Sequence, residues 1–153
     1  DSAKHGAAEG IENNLRRKIV EKRTVNPKYY AEMSEILQEL IEERKRGVED
    51  YVKLLEKYRA LAGKIEAPEK GSRYPEHIKG KAALRALYDE LDQDEELAIA
   101  VDRAVCECHG TTGFRDDEFK QRRVKQSIYD VVGNETDTER IYKVVAAQTG
   151  DYQ

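Results

Sequence analysis

Asn26-Pro27-Lys28-Tyr29-Tyr30-Ala31-Glu32-Met33-Ser34-Glu35-Ile36-Leu37-Gln38-Glu39-Leu40-Ile41-Glu42-Glu43-Arg44-Lys45-Arg46-Gly47 is the stretch on which the fold turns. Asn26 offers a side-chain oxygen to the orphan amides of a helix start, and Pro27 presets φ at the first helical position. Gly47 stands just past a basic last turn, where glycine stops a helix. Between these signals Tyr29, Tyr30, Met33, Ile36, Leu37, Leu40 and Ile41 recur at steps of three and four, which paints one apolar face on a helix of about five turns. Nothing chemically reactive lies on that face, so the stretch speaks of packing and docking before catalysis.

Reading outward, Ile11, Leu15 and Ile19 step by four on a short amphipathic helix whose other faces carry Arg16, Arg17, Lys18, Lys22 and Arg23, and Thr24-Val25 breaks it. Beyond Gly47, Tyr51, Leu54, Leu55, Tyr58, Leu61 and Ile65 mark a helix that the short connection folds back as an antiparallel partner, giving a helical hairpin near the N-terminus. From 66 to 80 Pro68, Gly71, Pro75 and Gly80 punctuate a polar loop, either an excursion over the surface or a subdomain joint. The expectation is an excursion, pinned by Tyr74. Leu84, Leu87, Tyr88 and Leu91 then mark a fourth helix. Leu97, Val101, Ala104, Val105 and Cys108 mark a fifth, beginning in the acid-rich turn from Asp92 to Glu96, where acids suit the positive helix start. Val124, Ile128, Val131 and Val132 mark a sixth, ended by Gly133; Ile141, Val144 and Val145 mark a seventh after capping residues Thr136 to Thr138. No stretch alternates with period two. The expected fold is all-α, an irregular bundle of about seven helices in a single helical domain over 1–153.

Charged residues make up 38% of the 153 residues, against roughly 25% in an average globular protein, and that excess belongs on solvated helix faces. The net charge of −4 lacks the overall footprint of a dedicated nucleic-acid binder. Cys106 and Cys108 lie too close together to staple a fold, and with no other cysteine the composition fits a reducing, cytoplasmic interior. No apolar run approaches the roughly 20 residues needed to cross a bilayer. Asp1-Ser2-Ala3-Lys4 has no signal-peptide architecture and reads as a boundary inside a longer protein.

Candidate chemistry is thin. No Gly-x-x-x-x-Gly-Lys-Ser/Thr loop is present to cradle phosphates. Cys106-x-Cys108-His109 offers zinc-type ligands, but a structural zinc needs about four, and His5 and His77 stand alone. The expected reading is structural, with Cys108 a small core residue, Cys106 at the edge and His109 near a helix end. Asp89-Glu90 and Asp92 to Glu96 cluster oxygens, yet Leu97 stands where a calcium loop needs glycine, so a solvated helix connection is expected. Glu118-Phe119-Lys120 has the spacing of an acid and a lysine in a nuclease core, but it falls in a helical pattern with no preceding strand. No catalytic, cofactor-binding or metal-binding residue is therefore assigned.

Three basic clusters remain as a candidate docking or DNA-backbone surface: Arg16, Arg17 and Lys18; Arg44, Lys45 and Arg46; and Arg122, Arg123 and Lys125. Acids interleave with all three, which favours solvated helix faces. Tyr29, Tyr30, Tyr51, Tyr58 and Tyr88 fall at core-facing spacing and read as packing residues with a polar tip.

The phrases Ile11-Glu12-Asn13-Asn14-Leu15-Arg16-Arg17-Lys18-Ile19 and Asn26-Pro27-Lys28-Tyr29-Tyr30-Ala31-Glu32-Met33-Ser34 closely resemble the C-terminal helical region of the restriction subunit, the motor and nuclease, of type I restriction-modification enzymes. Leu40-Ile41-Glu42-Glu43-Arg44, Tyr51-Val52-Lys53-Leu54-Leu55, Tyr74-Pro75, Ala86-Leu87-Tyr88-Asp89 and Glu95-Glu96-Leu97-Ala98-Ile99-Ala100-Val101-Asp102 continue the likeness in order, over most of Ile11 to Val132. The chain departs from the family at Phe114-Arg115-Asp116-Asp117, where members show a tryptophan followed by Arg-Gly-Asn, and Cys106-Glu107-Cys108 is no family phrase. The resemblance implies a non-catalytic assembly domain within a parent that pumps and cleaves DNA. ATP and Mg are then expected only in upstream nuclease and motor domains. The implied partners are the methyltransferase and specificity subunits, the motor domains of the same chain, and duplex DNA through the complex, with no membrane. An accessory module contacting the DNA backbone beside the motor is the alternative.

Overall fold

In the computed structural model, which describes residues 2–47, 50–108 and 111–153, α2 runs Pro27–Arg46 and buries Tyr29, Tyr30, Met33, Leu37, Leu40 and Ile41, with Ile36 half-buried on the flank. Gly47 ends it at φ +65°, a left-handed conformation that glycine adopts without a Cβ penalty. The described residues form eight α-helices and no strand, so the all-α reading holds. No helix among them is long and apolar enough to cross a membrane.

The backbone divides into two compact units, residues 1–23 with 28–73 and residues 24–27 with 74–153, where the sequence reads as a single helical domain. The first unit holds α1 (Ser2–Lys22), α2 and α3 (Tyr51–Glu66). Helix α1 is longer than the stripe from Ile11 to Ile19 implies, because Ala8, 1% exposed, continues that stripe toward the N-terminus. Lys4 Nζ lies 5.4 Å from the Tyr51 ring centre and Lys22 Nζ donates to the Ile65 carbonyl at 3.3 Å, so α1 and α3 run parallel. Tyr29 and Tyr30, at the start of α2, donate to the Lys64 and Ile65 carbonyls at 2.8 and 3.0 Å, while Lys57 reaches Glu43 at 3.3 Å. Helices α2 and α3 are thus the antiparallel hairpin. Asp50 caps α3 by accepting from the Lys53 amide at 3.0 Å.

The second unit holds α4 (Glu76–Lys79), α5 (Ala82–Glu90), α6 (Glu95–Glu107), α7 (Glu118–Val132) and α8 (Glu135–Ala146). Helix α6 packs on α5 and α7, and α8 packs on both α7 and α5, which closes a four-helix ring. Its centre contains Ile78, Leu87, Val101, Phe114, Ile128 and Ile141, all with no exposed surface; each such side chain contributes about 1.5–3 kcal/mol by burial. Three expectations need correction. Leu84, Leu97 and Ala104 are half-buried, while Ala83, Ala86 and Ala98 are buried, because α5 and α6 approach closely where the side chains are small. Helix α8 is capped by Asn134, which accepts from the Asp137 amide at 2.8 Å, and Thr138 lies inside the helix with its hydroxyl on the Asn134 carbonyl. The 66–80 stretch divides between the units: a 3₁₀ turn at Pro68–Lys70 belongs to the first, and Tyr74 and Ile78 are buried in the second. Residues 70–72 are exposed, while Tyr74 and Ile78 take part in the core of the second unit, so the stretch is not a polar loop over its whole length.

Candidate functional site

The nine basic residues singled out in the sequence meet different fates. Arg16 and Arg17 are exposed on α1 and donate to Asn13 and Asn14 of their own helix at 3.2 and 2.6 Å. Lys18 pairs with Glu66 at 2.9 Å, and its hydrogen bond, with the charge of Lys22, holds the Glu66 carboxyl below its ordinary range. Lys45 and Arg46 are exposed in the last turn of α2. On α7, Arg122 and Arg123 are exposed, while Lys125 pairs with Glu139 at 3.1 Å and lies 4.8 Å from the Tyr142 ring centre.

Arg44 is the correction. Its side chain is 7% exposed and closes on Glu12 of α1 through Nε to Oε2 at 2.6 Å and Nη2 to Oε1 at 2.8 Å, a two-point guanidinium–carboxylate contact. The Tyr58 hydroxyl of α3 donates to the same carboxylate, so one buried acid ties all three helices of the first unit. Burial alone raises a carboxyl pKa, but the hydrogen bonds from Arg44 and Tyr58 and the Arg44 charge outweigh it and hold Glu12 below its ordinary value. Burial first, and then the bond to Glu12, push the Tyr58 phenol well above its own. Arg44 Nη1 also lies 2.8 Å from a ring nitrogen of His5. The guanidinium is a structural cation with its donors turned inward. Glu12 carried a signal that the sequence reading passed over: it sits with Ala8, Leu15 and Ile19 on one stripe, and a lone acid on an apolar stripe needs a buried partner.

Two acids of the second unit are likewise internal. Asp89 accepts from the Asn26 amide at 2.8 Å and from the Tyr74 hydroxyl at 2.5 Å, and Glu90 pairs with Arg140 at 2.8 Å. The solvated connection expected at Asp89-Glu90 is therefore corrected: both are under 10% exposed, because each has a polar partner from another segment. Asp94 instead caps α6 through the Leu97 amide at 3.0 Å, with Glu95 and Glu96 in the first turn.

Asp102 gathers a third cluster. It accepts from Lys81 Nζ at 2.8 Å and from the Tyr152 hydroxyl, and the ammonium lies 4.9 Å from the Tyr152 ring centre. Burial, aided by Asp102, pushes the Tyr152 phenol far above its ordinary range. Cys106 is exposed beside Lys81, 3.6 Å away, and Cys108 ends α6 half-buried, which corrects the expectation of a core thiol. His109 lies outside the described residues. Among the described residues no group of three or more His, Cys, Asp or Glu side chains is placed to hold a metal ion. Glu118 is exposed in the first turn of α7, and Lys120 Nζ donates to the Thr112 carbonyl at 2.9 Å, so the two are separate helix-start residues.

Arg115 had no sequence signal beyond its place in the 114–117 departure. Its guanidinium donates to the carbonyls of Ala146 at 2.9 Å, Tyr152 at 3.0 Å and Asp151 at 3.2 Å, and to Gln148, gathering the last turn of α8 and the residues after it. A cation suits that position because helix C-termini present unpaired carbonyls. In the first unit a groove of about 690 Å³ lies between α2 and α3, with Met33, Ile36, Ala60 and Gly63 among its walls and the Arg73–Glu32 pair, 2.6 Å, at its side.

No family model matches the chain, and the comparison with curated proteins and solved structures gave no match.

Proposed function

We propose that this chain is the helical assembly domain of a type I restriction subunit, docking an ATP-dependent DNA translocase and endonuclease onto its methyltransferase–specificity core. One observation carries the reading: phrases that bear the resemblance supply two of the buried polar links of the fold. Glu12 of the first phrase pairs with Arg44 of the third, at 2.6 Å. Asn26, Tyr74 and Asp89, from three further phrases, meet in one hydrogen-bonded cluster. Residues as far apart as Asn26 and Asp89, 63 positions, have no reason to interlock unless the phrases specify one fold together. In this reading the segment contributes no catalytic group, cofactor or metal, and ATP and Mg belong to other domains of the parent. The test is affinity capture with the methyltransferase–specificity complex. Retention by the 153-residue chain is expected, and an assembled restriction complex that forms equally well without the segment rules the reading out.

A module contacting the DNA backbone is the second reading, favoured by the exposure of Lys45, Arg46, Arg122 and Arg123. It requires binding to random duplex that falls steeply with salt and weakens on Arg122→Glu. Binding that is flat in salt eliminates it.

A further inference from the structure

Among the described residues four large apolar or aromatic side chains stand exposed, and two of them, Phe119 at 63% and Tyr129 at 41%, share α7. At 3.6 residues per turn, Phe119, Arg122, Arg123, Gln126 and Tyr129 fall within an arc of about 120°, opposite the buried Val124 and Ile128. The two rings are about 15 Å apart along the axis, with both arginines between them. The Arg123 guanidinium lies 5.5 Å from the Phe119 ring centre, and among the described residues neither arginine is paired with a carboxylate. Lys125 is different: it turns aside to Glu139 and Tyr142. A ring, a pair of free guanidiniums and a second ring form the composition that carries binding energy in protein interfaces.

The charges choose the partner. Planar guanidiniums with unfilled donors match carboxylates in two-point contacts, as Arg44 does with Glu12 inside the same protein. Phosphates have the same geometry, but Glu118 and Asp130, both exposed, stand at the two ends of the strip and oppose a continuous polyanion. A protein surface with a few acids at the centre meets no such repulsion.

We propose that this outward face of α7 is the docking surface, and that its partner is a protein surface whose carboxylates receive Arg122 and Arg123 between two apolar recesses for Phe119 and Tyr129. The inference rests on the docking reading above and adds the face and the partner chemistry. The experiment places a photoreactive benzoylphenylalanine at position 119, or at Val52 as an equally exposed control (65%), in the full chain mixed with the methyltransferase–specificity complex. Crosslinks are expected from 119 and not from 52. A Phe119→Ser, Arg123→Glu variant is expected to weaken capture at least ~30-fold while its circular dichroism and melting temperature stay unchanged. If the wild-type chain is captured and the variant is captured as well, the face is wrong and the docking reading stands. If the wild-type chain is not captured, both fall. Unchanged capture with loss of duplex-DNA binding, or with loss of self-association in sedimentation, overturns the proposal in favour of nucleic acid or a second copy.

Discussion

Arg44 and Glu12 meet through two contacts, 2.6 and 2.8 Å long, with 7% and 4% of their side chains exposed, and Tyr58 completes the carboxylate's coordination. Removing one partner leaves a buried charge, which costs about 3–5 kcal/mol, whereas replacing the whole set by apolar groups of similar size is often neutral. Glu12→Ala or Arg44→Ala is therefore expected to lower urea-unfolding stability by that amount, and the triple change Glu12→Leu, Arg44→Met, Tyr58→Phe to recover most of it. If the triple variant is less stable than either single one, the account of this cluster is wrong.

The same cluster sets an acid limit. Glu12 binds its proton more weakly folded than unfolded, so its contribution is fully present above the ordinary value of 4.5 and is lost as pH falls through the lower folded value. Tyr58 and Tyr152 are shifted the other way. Their contributions are present below the ordinary value of 10.0 and decline as pH rises beyond it. Unfolding followed from pH 2 to pH 11, a range spanning both limits, is expected to show a plateau with two falling limbs. Tyr152→Phe should flatten the alkaline limb, and an unaltered limb in that variant counts against the assignment.

Gly63 lies inside α3, where an added Cβ meets nothing within 4 Å. Gly63→Ala is expected to raise stability by about 0.5–1 kcal/mol, because alanine loses less backbone freedom on entering a helix. Gly133→Ala makes the opposite test: it ends α7 at φ +81°, where a side chain costs roughly 1 kcal/mol. Thermal melts of the two variants should move in opposite directions.

Arg115→Ala should uncover the carbonyls of residues 146–152 and raise amide hydrogen exchange there, with a stability loss of about 2–4 kcal/mol from several charge-assisted bonds that act as a unit. Arg115→Lys is expected to rescue little, since one ammonium cannot span that fan of acceptors. Exchange rates in the lysine variant equal to wild type would contradict this.

Most of the longer helices were legible because apolar residues recur along them at steps of three and four, with a stop or start signal at some of their ends. Pro27 opens α2 and Gly47 ends it, and Gly133 closes α7 in the left-handed conformation that its place in the sequence implies. The polar links were not legible, because they join residues far apart. Arg44 looks, in its own segment, like the last turn of a basic helix end; only Glu12, thirty-two positions away, turns it inward. Asp89 and Glu90 likewise resemble a solvated acidic pair until Asn26, Tyr74 and Arg140 arrive from other segments. Helix α4 was missed because a single turn has no periodicity to detect. Of the candidate surface, Arg122 and Arg123 stand exposed as an outward-facing reading requires, while Lys18 and Lys125 are engaged with Glu66 and Glu139.

Arg115 addresses main-chain oxygens, which every amino acid carries, so this particular clasp is indifferent to which side chains occupy the positions it grips. The instruction for shaping residues 146–152 is written at one position, some thirty residues upstream of where it is executed. Substitutions that accumulate in the gripped residues can leave the clasp intact, whereas a single change at 115 releases them together.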